Sequence, residues 1–223
     1  QGSSYRNWLF NWSVALLPSL TGTRAAALFT ACLPALRKDV RVAEFLLPNL
    51  VVVVLSDCTD KDMERVMAEV GAVVAMKNKE EDEVADSNLK QLVAPAMFSV
   101  VDHISAWLRN KSAALLAATR KDPEKLSCDE TKAALGRSRE YSRVAAFRQN
   151  LPMVNIANLS YQTGAYHRSA SSLDQYLRQK GGTARTMTQG ELASLQQLYT
   201  SLQEPDLVLG VAAVREQEPA LEQ

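Results

Sequence analysis

The chain has 223 residues, 47% of them hydrophobic, and 25 Lys plus Arg stand against 25 Asp plus Glu. That apolar share excludes a disordered chain, and the balanced charge excludes a dominant basic field for holding a phosphate backbone. With only 9 Gly and 8 Pro the turn density of a β protein is missing, and Cys32, Cys58 and Cys128, odd in number and far apart, form neither a disulfide framework nor a zinc spacing and fit a reducing compartment.

Helical periodicity runs along most of the sequence. Tyr5, Trp8, Leu9, Trp12, Ala15 and Leu16 form a first apolar stripe. Ala25, Leu28, Phe29, Cys32, Leu33 and Leu36 form a second, with Thr23 placed as an N-cap. A third helix is predicted over about 40–56. Its most apolar stretch, Leu46 to Leu55, is too short for a bilayer span of about 20 residues and reads as a buried helix with neighbours on several sides. A β-strand competes for Val51 to Val54, but the spacing of Val42, Phe45, Leu46 and Leu50 favours helix. Pro34 and Pro48 fall inside these patterns, where kinks or breaks are expected.

Thr59 and Asp62 open a fourth helix carrying Met63, Val66, Met67, Val70, Val73 and Val74. Residues 77–88 are charged and read as an exposed loop. The strongest signal follows. From Leu89 through Ile104 to Trp107 and Leu108 the three-four spacing holds, and it can continue to Leu115, with a bend expected at Pro95. After a second charged loop at 120–125, the pair Ser127 and Glu130 caps a helix running to about Phe147. Pro152 opens another. Thr188 with Glu191 caps the helix of Leu192, Leu195 and Leu198, and Pro205 opens the helix of Leu207, Val211 and Val214.

About ten helices on short links predict an all-α solenoid of stacked hairpins. Burying one large apolar side chain gives about 1.5–3 kcal/mol, whereas ordering each residue costs about 1–2 kcal/mol, so a lone hairpin fails and stacked ones succeed. Ile156, Ala157, Gly164, Tyr166, Ser169 and Leu173 fall at tetratricopeptide-like spacing, and a looser unit spans about 190–217. The expected division is therefore HEAT-like repeats over 1–135 and tetratricopeptide-like repeats over 136–223. The chain lacks an initiator Met and a clear leader cleavage site, and Glu218-Pro219 repeats the Glu204-Pro205 opening four residues before the end. A piece of a longer chain is the expectation.

Few groups are placed for chemistry. His103 adjoins Asp102, but neighbouring positions on a helix do not face each other, so a structural histidine is expected. His167 reads as an exposed helix residue. No Cys or His pair has metal-ligand spacing. Asn155, Asn158 and Arg168 could line a groove gripping a peptide carboxylate, with ordinary helix-surface polarity as the competing reading. Trp8, Trp12 and Trp107 could stack bases, yet their place on apolar stripes favours packing. The charged stretch Lys79 to Asp86 reads as solvated, and Gly181-Gly182 as a loop. Phosphoryl transfer needs a phosphate-covering loop, a lysine, a catalytic aspartate and metal-binding Asn and Asp. None of these motifs is present, so the segment is expected to have no catalytic, cofactor or metal residues of its own.

Three stretches carry a family likeness. They are Glu44-Phe45-Leu46-Leu47-Pro48-Asn49-Leu50 with the valines after it, Met97-Phe98-Ser99-Val100-Val101-Asp102-His103-Ile104 with Trp107, and Leu198-Tyr199 followed by Glu204-Pro205-Asp206 and Gly210-Val211-Ala212-Ala213-Val214-Arg215. In order and separation they resemble the ATR-type checkpoint kinases of the phosphatidylinositol 3-kinase-related protein kinase family. The likeness covers about residues 5–221 and is weak in the loops at 77–88 and 119–135. It implies a non-catalytic scaffold at the end of the HEAT-like solenoid and the start of the FAT domain. The parent would be a nuclear serine/threonine kinase using ATP and Mg in the response to DNA damage and replication stress. An ATRIP-like subunit and a second copy of the chain would be its partners, and no direct nucleic-acid or membrane contact is implied. Thr188-Gln189 matches the substrate preference of such kinases, at a frequency expected by chance. A free-standing tetratricopeptide adaptor is the alternative, and would need a polar capping helix at its end.

Overall fold

The structure, a computed structural model, describes residues 4–20, 23–57, 59–76, 83–119, 127–179 and 187–217, the side chains of 83–88 and 216–217 excepted. Among the described residues the chain is built from α-helices with one 3-10 turn and no strand. It divides into two compact units, residues 1–151 and 152–223.

The first unit holds α1 (Tyr5–Leu16), α2 (Arg24–Lys38), α3 (Val40–Asp57), α4 (Asp60–Val74), α5 (Glu83–Ala117), α6 (Cys128–Gly136) and α7 (Arg139–Gln149). Its hub is α3, which packs against α1, α2, α4, α5 and α7. That placement explains a helix apolar nearly all round. Leu47, Leu50, Val51, Val54 and Leu55 are all 1% exposed or less, because each side of α3 meets another helix. The valine run is thus helical despite its β propensity. A helix satisfies its own backbone groups, whereas a strand there would leave its ladder without a partner. The 3-10 turn Leu17–Leu20 joins α1 to α2, and its Leu20 is fully buried.

Local chemistry sets the helix starts. Thr23 accepts from the Ala26 amide, and Thr59 with Asp62 and Ser127 with Glu130 form reciprocal capping boxes. The single helix expected from Ser127 to Phe147 is two. Gly136 ends α6, and Ser138, accepting from the Tyr141 amide at 3.3 Å, caps α7. The loop expected over 77–88 is shorter as well, since α5 begins at Glu83 and runs for 35 residues, about 52 Å at 1.5 Å per residue. Residues 77–82 lie outside the described residues. Pro34, Pro48 and Pro95 do not break their helices, which run through all three.

Asp62 does more than cap. Its carboxylate accepts from the Ser19 hydroxyl at 2.6 Å, the Thr59 hydroxyl at 2.7 Å and the Thr59 amide at 3.1 Å, joining the 3-10 turn to the start of α4. These bonds, Ser19 first and then Thr59, favour the ionised form and hold its pKa below the usual carboxylate value. A depressed folded pKa gives stability that is complete above the unfolded value of about 3.9 and is lost as pH falls through the folded one. Acid unfolding should therefore be shallower below about pH 4 for Asp62→Asn than for the parent sequence. Parallel curves would remove this carboxylate from the acid response.

The second unit is two helical hairpins, α8 (Met153–Gln162) with α9 (Tyr166–Gln179), and α10 (Gln189–Ser201) with α11 (Pro205–Gln217). Ala157, Leu173, Leu192, Leu195, Leu198 and Val211 share its core. Both hairpins turn in the same way. The Ala165 amide bonds the Ser160 carbonyl at 2.8 Å and the Gly164 amide that of Tyr161 at 3.1 Å. The Glu204 and Gln203 amides bond Tyr199 and Thr200 in the same pattern, each at 3.1 Å. This is the Schellman ending, with the residue after the cap left-handed. Gly164 takes that conformation at φ 77° and Gln203 at φ 60°. The two hairpins of this unit thus share one backbone turn. A side chain disfavours the left-handed region by about 1–2 kcal/mol. Gln203→Gly should raise stability by about 0.5–1 kcal/mol after its larger unfolded-state entropy is subtracted. Gly164→Ala should lower it by about 1 kcal/mol, a conformational cost, since a Cβ there meets nothing within 4 Å. Thermal unfolding of both variants measures the pair.

Candidate functional site

Most residues singled out for chemistry turn out to be engaged in holding the fold. Tyr5, Trp8 and Trp12 form a ladder along α1, with ring centroids 6.1 and then 5.3 Å apart. The Trp8 indole donates to Glu69 of α4 at 2.7 Å, and Trp12 is 6% exposed. These rings are engaged in packing along the helix. Beside them the Tyr5 hydroxyl donates to Glu44 at 2.6 Å, and burial with that carboxylate raises the phenol pKa well above its ordinary value. Trp107 is half-buried beneath Lys111, whose ammonium lies 5.8 Å from the ring centre and pairs with Glu140 of α7 at 2.7 Å.

Asp102 and His103 share the surface of α5 with Ser99, Ser105 and Arg109 around a shallow depression. Arg148 of α7 donates its Nε to Ser105 at 3.1 Å. Burial lowers the Arg148 pKa, and the Asp102 charge opposes that shift. The hydrogen bond from Arg148 to Ser105 ties α7 to α5, with the Asp102 charge nearby.

The second unit holds a groove of about 330 Å³ between α8, α9 and α10. Asn158, Tyr161, Tyr176, Glu191 and Gln197 contribute to it. Of the three residues read as a carboxylate grip, only Asn158 lines this groove; exposed Asn155 and half-buried Arg168 do not. Glu191 supplies a negative charge where such a grip needs a positive one. Its Oε2 is also committed, accepting from the Thr188 amide at 2.8 Å and the Thr188 hydroxyl at 3.0 Å in the α10 capping box. Tyr161 is bonded across the hairpins to Ser201 at 3.2 Å. Among the described residues that line it, the groove brings no nucleophile, base and oxyanion site together.

His167 is exposed on α9. Cys32 is half-buried and Cys128 exposed, both as free thiols. Cys58, Gly181-Gly182 and Lys79 to Asp82 lie outside the described residues, as do the side chains of 83–86. Among the described residues no three His, Cys, Asp or Glu side chains are grouped to hold a metal ion, and no helix is long and apolar enough to cross a membrane.

Comparison with known proteins supplies what the side chains do not. The family model described as "Serine/threonine-protein kinase ATR, M-HEAT region" matches residues 1–219. Among curated relatives, "Serine/threonine-protein kinase ATR" of Oryza sativa subsp. japonica and of Arabidopsis thaliana are each 24% identical over 232 residues, covering 95% of this chain and 8% of theirs. "Protein kinase rad3" of Schizosaccharomyces pombe is 21% identical over 210 residues, covering 92% of this chain and 9% of its own. The chain thus spans less than a tenth of these relatives. No solved structure matches it. The M-HEAT match runs through residue 136 without a change of family, so it lends no support to a FAT boundary there.

Proposed function

The chain belongs to the M-HEAT region of the ATR serine/threonine-protein kinases, and from that premise we propose that it serves such a kinase as a regulatory solenoid segment whose work is mechanical. The observation that carries this reading is the family match across residues 1–219 of a chain folded as packed helices. Each layer of helices in a repeat protein is held by its neighbours, so small rotations between layers sum to a large displacement at a distant end. A segment of this kind transmits shape and transfers no phosphate itself. The parent chain phosphorylates serine and threonine with ATP and Mg. It works in the nucleus on DNA damage and replication stress, together with an ATRIP-like subunit and a second copy of itself. The family's name supports the serine/threonine kinase activity of the parent.

The test is made in the full-length kinase. A substitution that unfolds the first unit, Val54→Asp, should abolish stimulated phosphorylation while ATP binding at the kinase domain persists. Stimulated activity equal to the parent's would sink the mechanical role. Turnover by the 223-residue segment alone would sink its assignment as non-catalytic.

A further inference from the structure

Helix α6 is held differently from the rest of the first unit. It touches α5 and α7, yet none of its residues is buried. Among the described residues every other helix of that unit buries at least two side chains, as α2 does with Phe29 and Leu36 and α7 with Val144 and Phe147. Apolar burial is what fixes a helix to its neighbours, since propensity alone contributes little. The seam on α5 is also loosely filled. Leu115 and Ala118 on one side and Ala133, Ala134 and Arg137 on the other line a cleft of about 510 Å³. A gap of that size removes the dispersion contacts that a closed seam would have.

Length acts in the same direction. Helix α6 has 9 residues, whereas even an alanine-rich helix is marginal in water below about 12–15 residues. Its capping box, Ser127 with Glu130, supports the first turn from within. Without the contacts to α5 and α7 the helix therefore unwinds. The next helix does not depend on it. Ser138 caps α7 separately, Val144 and Phe147 are fully buried, and α7 reaches α4 through Arg143 and Asp60 at 3.0 Å and α5 through Glu140 and Lys111 at 2.7 Å.

We infer that α6 is a strap that opens by itself: it detaches from α5 and unwinds while α7 and the rest of the first unit stay folded, and its release uncovers the Leu115 side of α5. Local opening of this kind is drawn from the least buried elements of a fold. The inference goes beyond the mechanical role and does not depend on it.

Amide hydrogen exchange, resolved by peptide in the full-length parent, tests it. Relative to their unstructured rates, the amides of residues 131–136 should exchange at least about a hundredfold faster than those of residues 144–149 in α7. Ala133→Gly weakens the helix at an exposed position. It should speed exchange in α6 about fivefold and leave exchange in α7 unchanged. Equal protection of the two helices overturns the inference. A variant that speeds α7 along with α6 also overturns it, because the two then open together. So does a variant that leaves α6 unaltered, because its amides then exchange without unwinding.

Discussion

Val54→Asp should unfold the first unit, whereas Phe45→Asp in the same helix should change its stability by no more than about 0.5 kcal/mol. Val54 is 0% exposed and Phe45 is 72% exposed. An aspartate at position 54 loses the burial of valine, about 1.5–3 kcal/mol, and adds an unpaired carboxyl. Even when that carboxyl neutralises by taking up a proton, its desolvation costs about 2–7 kcal/mol. The sum is comparable to the whole stability of an ordinary domain, about 5–15 kcal/mol. Thermal unfolding followed by circular dichroism separates the two variants. A Val54→Asp protein melting within a few degrees of the parent would mean that the helices around α3 do not enclose it. A large loss at Phe45→Asp would mean that the exposed ring is covered in solution.

The two substitutions also mark where the sequence was legible. Helix positions follow from apolar spacing, and the capping residues Thr23, Thr59, Ser127 and Thr188 fix four starts in the structure as in the sequence. Spacing does not say which apolar residues face the core, because that depends on how many neighbours a helix has. Leu28 and Leu92 belong to the expected stripes and are 63% and 52% exposed, as Phe45 is. The break between α6 and α7 had a signal in Gly136 followed by Ser138, a glycine ending and a serine cap. The apolar positions on both sides continued the period and hid it. The start of α5 at Glu83 was hidden in the opposite way, since a charged stretch without a stripe reads as loop although an acidic first turn suits a helix N-terminus. The candidate residues Trp8, Asp102, Asn158 and Thr188 hold or line helices, and the one groove containing Asn158 carries Glu191 where a carboxylate grip needs a cation.

The prolines give the second large effect. Each interior proline removes one backbone donor and crowds the carbonyl four residues back, at a cost of about 3 kcal/mol relative to alanine. Pro34 and Pro95 are exposed, so the core does not require their rings. Pro34→Ala and Pro95→Ala should each raise stability by about 1–3 kcal/mol, the lower part of the range reflecting the unfolded-state entropy that proline had removed. Pro48 is buried in α3, and its replacement loses packing as it gains a hydrogen bond. Pro48→Ala should therefore move stability less than either exposed variant. If all three are silent, the helices accommodate proline without strain. The prolines also bear on the proposed mechanical role, because a proline kink sets the angle at which one layer meets the next. In the full-length kinase the two stabilised variants should change the ratio of stimulated to basal phosphorylation. A higher melting temperature with an unchanged ratio would show that the prolines cost stability without setting the shape on which activation depends.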